Sequence, residues 1–424
     1  MPKRKRPLLP VLPDDLLALI FSWLPMEQVL KSLQLVCKEW KQVLQIPAAW
    51  NMTLKRLHTQ KGIYRLVPQF SVSHLTSSYG CRRSEYKMWG LETLESWKGS
   101  LSPYSDGQEQ NNHLKWQSCS FPLLKRVEFA EAGIWDLTSL FHNAPGLEKV
   151  KIDCLIPCHA STSPLLFNRT KLRSLTLGCS RNIPPAFWVA LLSACPDLES
   201  LHLFKVAARY PSRMGDHVTR EQVDDIYHRI NMSPDCLTGL KNLSSLRLTS
   251  VHFPPLGPRM DTLVSVIPQL KVLELSIFRR AAATIPGLIA ACRNLEVLCM
   301  DFPSDHCYDL RHLTHLRYLQ TKSCNLQLPV QLKALRCTAL AKSAVVLDRQ
   351  LAHYCPNLQQ LDLGKTEEYG EKPWSTTLFL NLTSLHIRQG IYRCNYASLR
   401  KRYEGRLRHL KKLKNIPLSI EQFL

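Results

Sequence analysis

The 424-residue chain carries 55 Lys+Arg against 34 Asp+Glu, a formal net charge of +21, and 45% of its residues are apolar. Leucine occupies 72 positions, 17% of the chain, which excludes disorder throughout. No apolar run reaches the ~18 residues of a membrane-spanning helix, and the start, Met1-Pro2-Lys3-Arg4-Lys5-Arg6, lacks the apolar core of a secretory signal. The nucleus, the cytoplasm or both are the expected location. Fifteen cysteines, an odd number in that setting, read as reduced and mostly buried thiols.

In chain order, residues 1–10 form a basic tail in which Lys3, Arg4, Lys5 and Arg6 are a candidate nuclear localisation signal. A separately patterned block follows over 11–55. It opens Leu12-Pro13-Asp14-Asp15-Leu16-Leu17 and continues with Ile20, Phe21 and Leu24, a helical stripe. Pro13 fixes φ at the helix start, and the two aspartates face the positive end of the dipole. Pro25 stops the helix. A second stretch, 27–35, carries Val29, Leu30 and Leu33. A third, Val36-Cys37-Lys38-Glu39-Trp40, runs on to Leu44, and Trp50 closes the block. Three short helices are marginal on their own and complete their core against a partner or a neighbouring domain. Residues 56–119 read as a linker and irregular cap.

From 120 to 390 one pattern, L-x-x-L-x-L, recurs about eleven times. Its first leucines are Leu124, Leu147, Leu172, Leu198, Leu243, Leu270, Leu295, Leu316, Leu332, Leu358 and Leu382, mostly 21–27 residues apart. That is the period of leucine-rich repeats. In L-x-L the two leucines lie on one face of a short strand. Apolar segments at helical spacing fall between the strands, at 186–192, 261–267, 286–291 and 348–354. The expected fold is α/β: an N-terminal three-helix module, then a solenoid with parallel strands on the concave side and helices on the convex side. An insertion at 209–235 contains an amphipathic stretch at 218–230. Residues 391–424 form a basic C-terminal cap or tail. The segments 1–10 and 388–415 together hold thirteen of the twenty-one net positive charges.

The Leu-Pro-Asp-Asp-Leu-Leu opening, the Ile-Phe-Ser-Trp-Leu-Pro continuation and Leu-Val-Cys-Lys-Glu-Trp resemble an F-box domain. Followed by leucine-rich repeats, they make the chain similar to the F-box/leucine-rich-repeat family of ubiquitin-ligase substrate receptors. The resemblance implies a three-helix F-box that docks a Skp-type adaptor and, through it, a cullin–RING scaffold, while the repeats hold an unknown protein substrate. It implies an adaptor surface drawn from Leu12, Pro13, Leu16, Leu17, Ile20, Phe21, Leu24, Pro25, Val36, Cys37, Trp40 and Trp50. Spacing does not separate adaptor contacts from core.

No Walker A, GxGxxG, GxSxG or HExxH motif is present, so the expectation is a non-catalytic subunit with no cofactor. Cys154, Cys158 and His159, and the group His306, Cys307, His312 and His315, lack the paired spacing of a structural zinc site, so no metal is expected. Candidate substrate contacts are the outward x residues of the repeats: Arg173, His202, Arg247, Glu274 and Arg317. The alternative is a basic nucleic-acid-associated or scaffolding repeat protein without ligase function. Against nucleic acid, the aromatic-plus-basic patterning of RNA-binding modules is missing. Neither a membrane nor a second copy of the chain is expected as a partner.

Overall fold

The parallel strands that the repeat implies need long crossovers and helices or turns to cover their leucine face. The computed structural model describes residues 12–22, 24, 36, 38–43, 51–54, 74–77, 94–99, 120–156, 167–179, 183–205, 230–232, 234–249, 251–252, 267–275, 285–302, 307–322, 326–340, 351, 353–366 and 382–387. The chain divides into two units: Met1–Ser180 with Val206–Ala208, and Arg181–Lys205 with Arg209–Leu424.

The first unit holds α1 (Asp14–Ser22), α2 (Lys38–Val43), β1 (Asn51–Leu54), β2 (His74–Ser77), β3 (Ser96–Gly99), β4 (Arg126–Gly133), α3 (Ile134–Asn143), β5 (Lys149–Ile156) and β6 (Ser174–Cys179). Strands β1 to β6 pair in sequence order, all parallel. Their register aligns Met52, Leu75, Trp97, Val127, Val150 and Leu175 in one row, in which Trp97, Val127, Val150 and Leu175 are buried. Trp97 meets Phe129 edge-on at 5.1 Å and Phe121 at 6.0 Å, so one large ring does there what leucines do elsewhere.

The second unit holds α4 (Pro185–Ser193), β7 (Ser200–Lys205), β8 (Ile230–Asn231), β9 (Ser245–Leu248), β10 (Val251–His252), β11 (Val272–Leu275), α5 (Ile285–Ala291) and β12 (Val297–Met300). It continues with β13 (Tyr308–Asp309), β14 (Tyr318–Thr321), β15 (Leu326–Gln327), β16 (Ala334–Leu340), β17 (Gln360–Thr366) and β18 (Ser384–Ile387). Short 3-10 turns lie at Pro234–Leu237 and Ile267–Gln269. The main ladder runs β7-β9-β11-β12-β14-β16-β17-β18, all parallel. Its inward row is Leu201, Leu246, Leu273, Leu298, Leu319, Leu335 and Leu361, with Leu385 next in register. The strand pairs β8–β10 and β13–β15 are also parallel.

All eleven first leucines named from the sequence are at most 1% exposed. Between repeats the backbone repeats one device. In most described repeats the carbonyl after the first leucine accepts two N–H groups from the next repeat: Glu148 from Arg173 and Ser174, Lys271 from Glu296 and Val297, Glu296 from Arg317 and Tyr318. Side-chain amides just before the first leucine add a second tie. Gln269 donates to the Leu240 carbonyl at 2.9 Å, Asn294 to Pro268 at 3.0 Å and Gln331 to Leu313 at 2.7 Å. Each such bond contributes about 1 kcal/mol.

The helices expected at 186–192 and 286–291 are α4 and α5. Segment 261–267 lies outside the described residues apart from Ile267, which opens the second 3-10 turn. Of 348–354, Leu351, His353 and Tyr354 are described, all three helical. Within the insertion at 209–235, only β8, Met232 and the start of the first 3-10 turn are described. The tails 1–10 and 391–424 lie outside the described residues. Two features were not anticipated. Strand β1 starts the ladder at the end of the block read as 11–55, β2 and β3 carry it through the stretch 56–119 read as linker and irregular cap, and Leu94-x2-Trp97-x-Gly99 is a repeat with tryptophan and glycine in leucine positions. Helix α3 directly follows β4, where the Asp136 carboxylate accepts the Gly133 N–H at 2.8 Å and caps the first turn.

Because the inward row is continuous, Leu273→Ala should destabilise the fold by about 2–5 kcal/mol in urea unfolding. Val330→Ala, at a side chain 55% exposed, should change it by less than about 0.5 kcal/mol. Equal effects would contradict the packing described.

Candidate docking surface

Helix α1 presents two apolar rows. Leu17, Ala18 and Phe21 point inward and are at most 8% exposed. Phe21 packs its ring on Trp40 of α2 at 5.1 Å, and Val43 of α2 is buried as well. Leu12, two residues ahead of α1, is followed at four-residue steps by Leu16 and Ile20, whose spacing stacks side chains on one helix face. They are 43%, 48% and 46% exposed, and Val36 is 55% exposed. The chain turns into α1 through Pro13, whose carbonyl accepts the N–H groups of Leu16 and Leu17 at 3.0 Å. Asp14 and Asp15 occupy the first turn.

The sequence-derived adaptor residues therefore separate by environment. Leu12, Pro13, Leu16, Ile20 and Val36 are exposed, Leu24 and Trp40 are half-buried, and Leu17 and Phe21 are buried. Pro25, Cys37 and Trp50 lie outside the described residues, as do Lys3, Arg4, Lys5 and Arg6.

The candidate substrate contacts also divide. His202, Arg247 and Glu274 stand in register on β7, β9 and β11, on the outward face. Arg247 Nε donates to Glu274 Oε2 at 2.6 Å, with side chains only 15% and 16% exposed. These two charges engage each other. Farther along, Arg336 faces Asp362 at 3.4 Å, and the Asp362 carboxylate is 1% exposed. Arg173 and Arg317 are exposed, but both sit at the turn entering a strand.

Not every outward x residue is exposed. Val272, Val297, Cys299, Tyr318 and Ala334 form a buried cluster on the face opposite the leucines. The valines and the tyrosine carried that signal in the sequence, since polar residues fill this position elsewhere. An open pocket is lined by Ala290, Arg293, Asn294, His312, Thr314 and His315. Its Asn294 and His312 are committed to backbone carbonyls of neighbouring turns, so both tie turns together. Among the described residues no three His, Cys, Asp or Glu side chains gather as a metal site, and no helix is long and apolar enough to cross a membrane.

Compared with known proteins, residues 9–53 match the family model described as F-box-like. No match was found among curated proteins. A solved leucine-rich-repeat protein of Leptospira interrogans is similar at 15% identity and a TM-score of 0.41, over 88% of this chain and 98% of that one. The F-box-like match thus precedes, along the chain, the parallel strands with buried leucine rows described above.

Burial pushes the thiols of Cys292 and Cys355 up to about 12, which leaves them protonated and inert at neutral pH. Cys307 is exposed. In a timed alkylation of the native chain read by peptide mass spectrometry, Cys307 should label well before Cys292 and Cys355, which should label only after denaturation. Rapid native labelling of the latter two would contradict their placement.

Proposed function

We propose that the protein is the substrate-recognition subunit of an SCF-type cullin–RING E3 ubiquitin ligase. The observation that supports this most directly is the exposed row Leu12, Leu16 and Ile20, with Val36, inside a segment matching the F-box-like family. A helix that turns one apolar row to its own core and another to solvent is built to be covered. Covering each Leu or Ile contributes about 1.5–3 kcal/mol, so a few side chains suffice to anchor a partner. In this reading the partner is a Skp-type adaptor, which brings a cullin–RING scaffold.

The chain performs no chemistry itself. It holds a protein substrate on its repeats, so that substrate lysines meet a charged conjugating enzyme at high effective concentration. The leucine ladder suits this role because it fixes the outward residues of many strands in one register. Nuclear import through Lys3, Arg4, Lys5 and Arg6, alongside a cytoplasmic pool, belongs to the same proposal.

Affinity capture from cells tests it. Wild-type chain should bring down the Skp-type adaptor and a cullin. Leu16→Asp with Ile20→Asp should abolish capture and leave the unfolding transition in place. Phe21→Ala should instead act through stability, lowering it by about 3–5 kcal/mol. Adaptor capture unchanged by the Leu16/Ile20 pair would overturn the reading.

A further inference from the structure

On the outward face of the first unit, Ser96, Arg126, Lys149 and Ser174 stand in register on β3, β4, β5 and β6. Arg126 and Lys149 are both exposed. Neighbouring strands lie about 4.8 Å apart, so the sheet holds these two cations side by side. Like charges at directly paired positions disfavour strand pairing. The other cations of the face are answered by carboxylates: Lys98 lies 3.4 Å from Glu128, and Lys151 lies 3.5 Å from Asp153. Among the described residues neither Arg126 nor Lys149 forms an ion pair.

The second unit differs at its outward charges. Arg247 is matched to Glu274 and Arg336 to Asp362, each across one strand pairing. Its row equivalent to Arg126 and Lys149 contains the buried Val272, Val297, Tyr318 and Ala334. The first unit therefore places two adjacent unneutralised cations, with a serine on either side, on an outward sheet face.

We propose that Arg126 and Lys149 form an anion-binding pair that seats an acidic side chain, carboxylate or phosphate, of the protein held by the repeats. The proposal rests on the receptor reading for the identity of that protein. An arginine fork and a lysine ammonium one strand apart can share the oxygens of a single anionic group, and bonds to charged groups are the stronger ones. The face suits an isolated anion better than a nucleic-acid backbone. Glu128 and Asp153 interrupt any continuous phosphate track. The aromatic residues Trp97 and Phe129 of β3 and β4 point into the core, so neither ring is available for base stacking.

Fluorescence anisotropy on the full chain purified with its Skp-type adaptor tests this. The probes are a labelled oligoglutamate peptide, a labelled phosphoserine peptide, their glutamine and serine counterparts, and a labelled single-stranded oligonucleotide. At least one anionic peptide should bind and its neutral counterpart should not; which one binds distinguishes carboxylate from phosphate. Arg126→Glu with Lys149→Glu should weaken binding roughly tenfold or more. Lys241→Glu with Arg293→Glu, the same charge change at exposed positions of the second unit, should alter it by less than about twofold. If the first pair impairs folding, Arg126→Gln with Lys149→Gln supplies the same comparison. Absence of binding by both anionic peptides, equal losses for the two pairs, or tighter oligonucleotide binding lost with Arg126 and Lys149 would each overturn the proposal. Failure of the chain to capture the adaptor from cells would overturn the receptor reading instead, and leaves the peptide measurement, repeated on the chain alone, to decide the site.

Discussion

Parallel strands cannot be joined by a tight turn, and a strand of four to eight residues cannot bury its own leucines. Both facts push this chain toward one solution. Each strand must lie beside the strand of the next repeat, with inward residues in register. The rows Val127–Val150–Leu175 and Leu246–Leu273–Leu298–Leu319 are that solution. The first leucine of each repeat closes the turn before the strand, and its neighbour's carbonyl takes two N–H groups from the next repeat. Packing and hydrogen bonding therefore fix the same register. A slip of one residue would turn leucines outward and charges inward.

That register gives the outward residues their meaning. Because paired strands align x with x, charges on adjacent repeats face each other at strand spacing. The second unit uses this to match arginines with carboxylates, down to an aspartate that is 1% exposed. A buried ion pair of this kind contributes little net stability against an apolar replacement, but removing one partner costs about 3–5 kcal/mol. The first unit uses the same geometry to set Arg126 beside Lys149. One scaffold rule thus pairs arginines with carboxylates across strands in one unit and sets two cations side by side in the other.

Much of this was legible in the sequence. Every first leucine that the L-x-x-L-x-L period named is buried, because core positions in a repeat tolerate few residue types. The α1 stripe was legible too, but its division into buried Leu17 and Phe21 and exposed Leu16 and Ile20 was not. Those four residues are chemically alike, and only the packing of Phe21 on Trp40 tells the rows apart. Strand β3 escaped because Trp97 and Gly99 replace leucines, a substitution of shape that a leucine pattern does not register. The x positions misled in the opposite sense. Arg247 and Glu274 read as free contacts when considered singly, and the register joins them.

The account turns on the outward row of α1 being the surface a partner covers, while the inward row holds the module together. Hydroxyl-radical footprinting of the chain, free and bound to a Skp-type adaptor, addresses both rows at once. The account predicts that Leu16 and Ile20 oxidise in the free chain and are protected in the complex, while Leu17 and Phe21 stay protected in both states. Leu16 and Ile20 oxidising equally with and without the adaptor would contradict it.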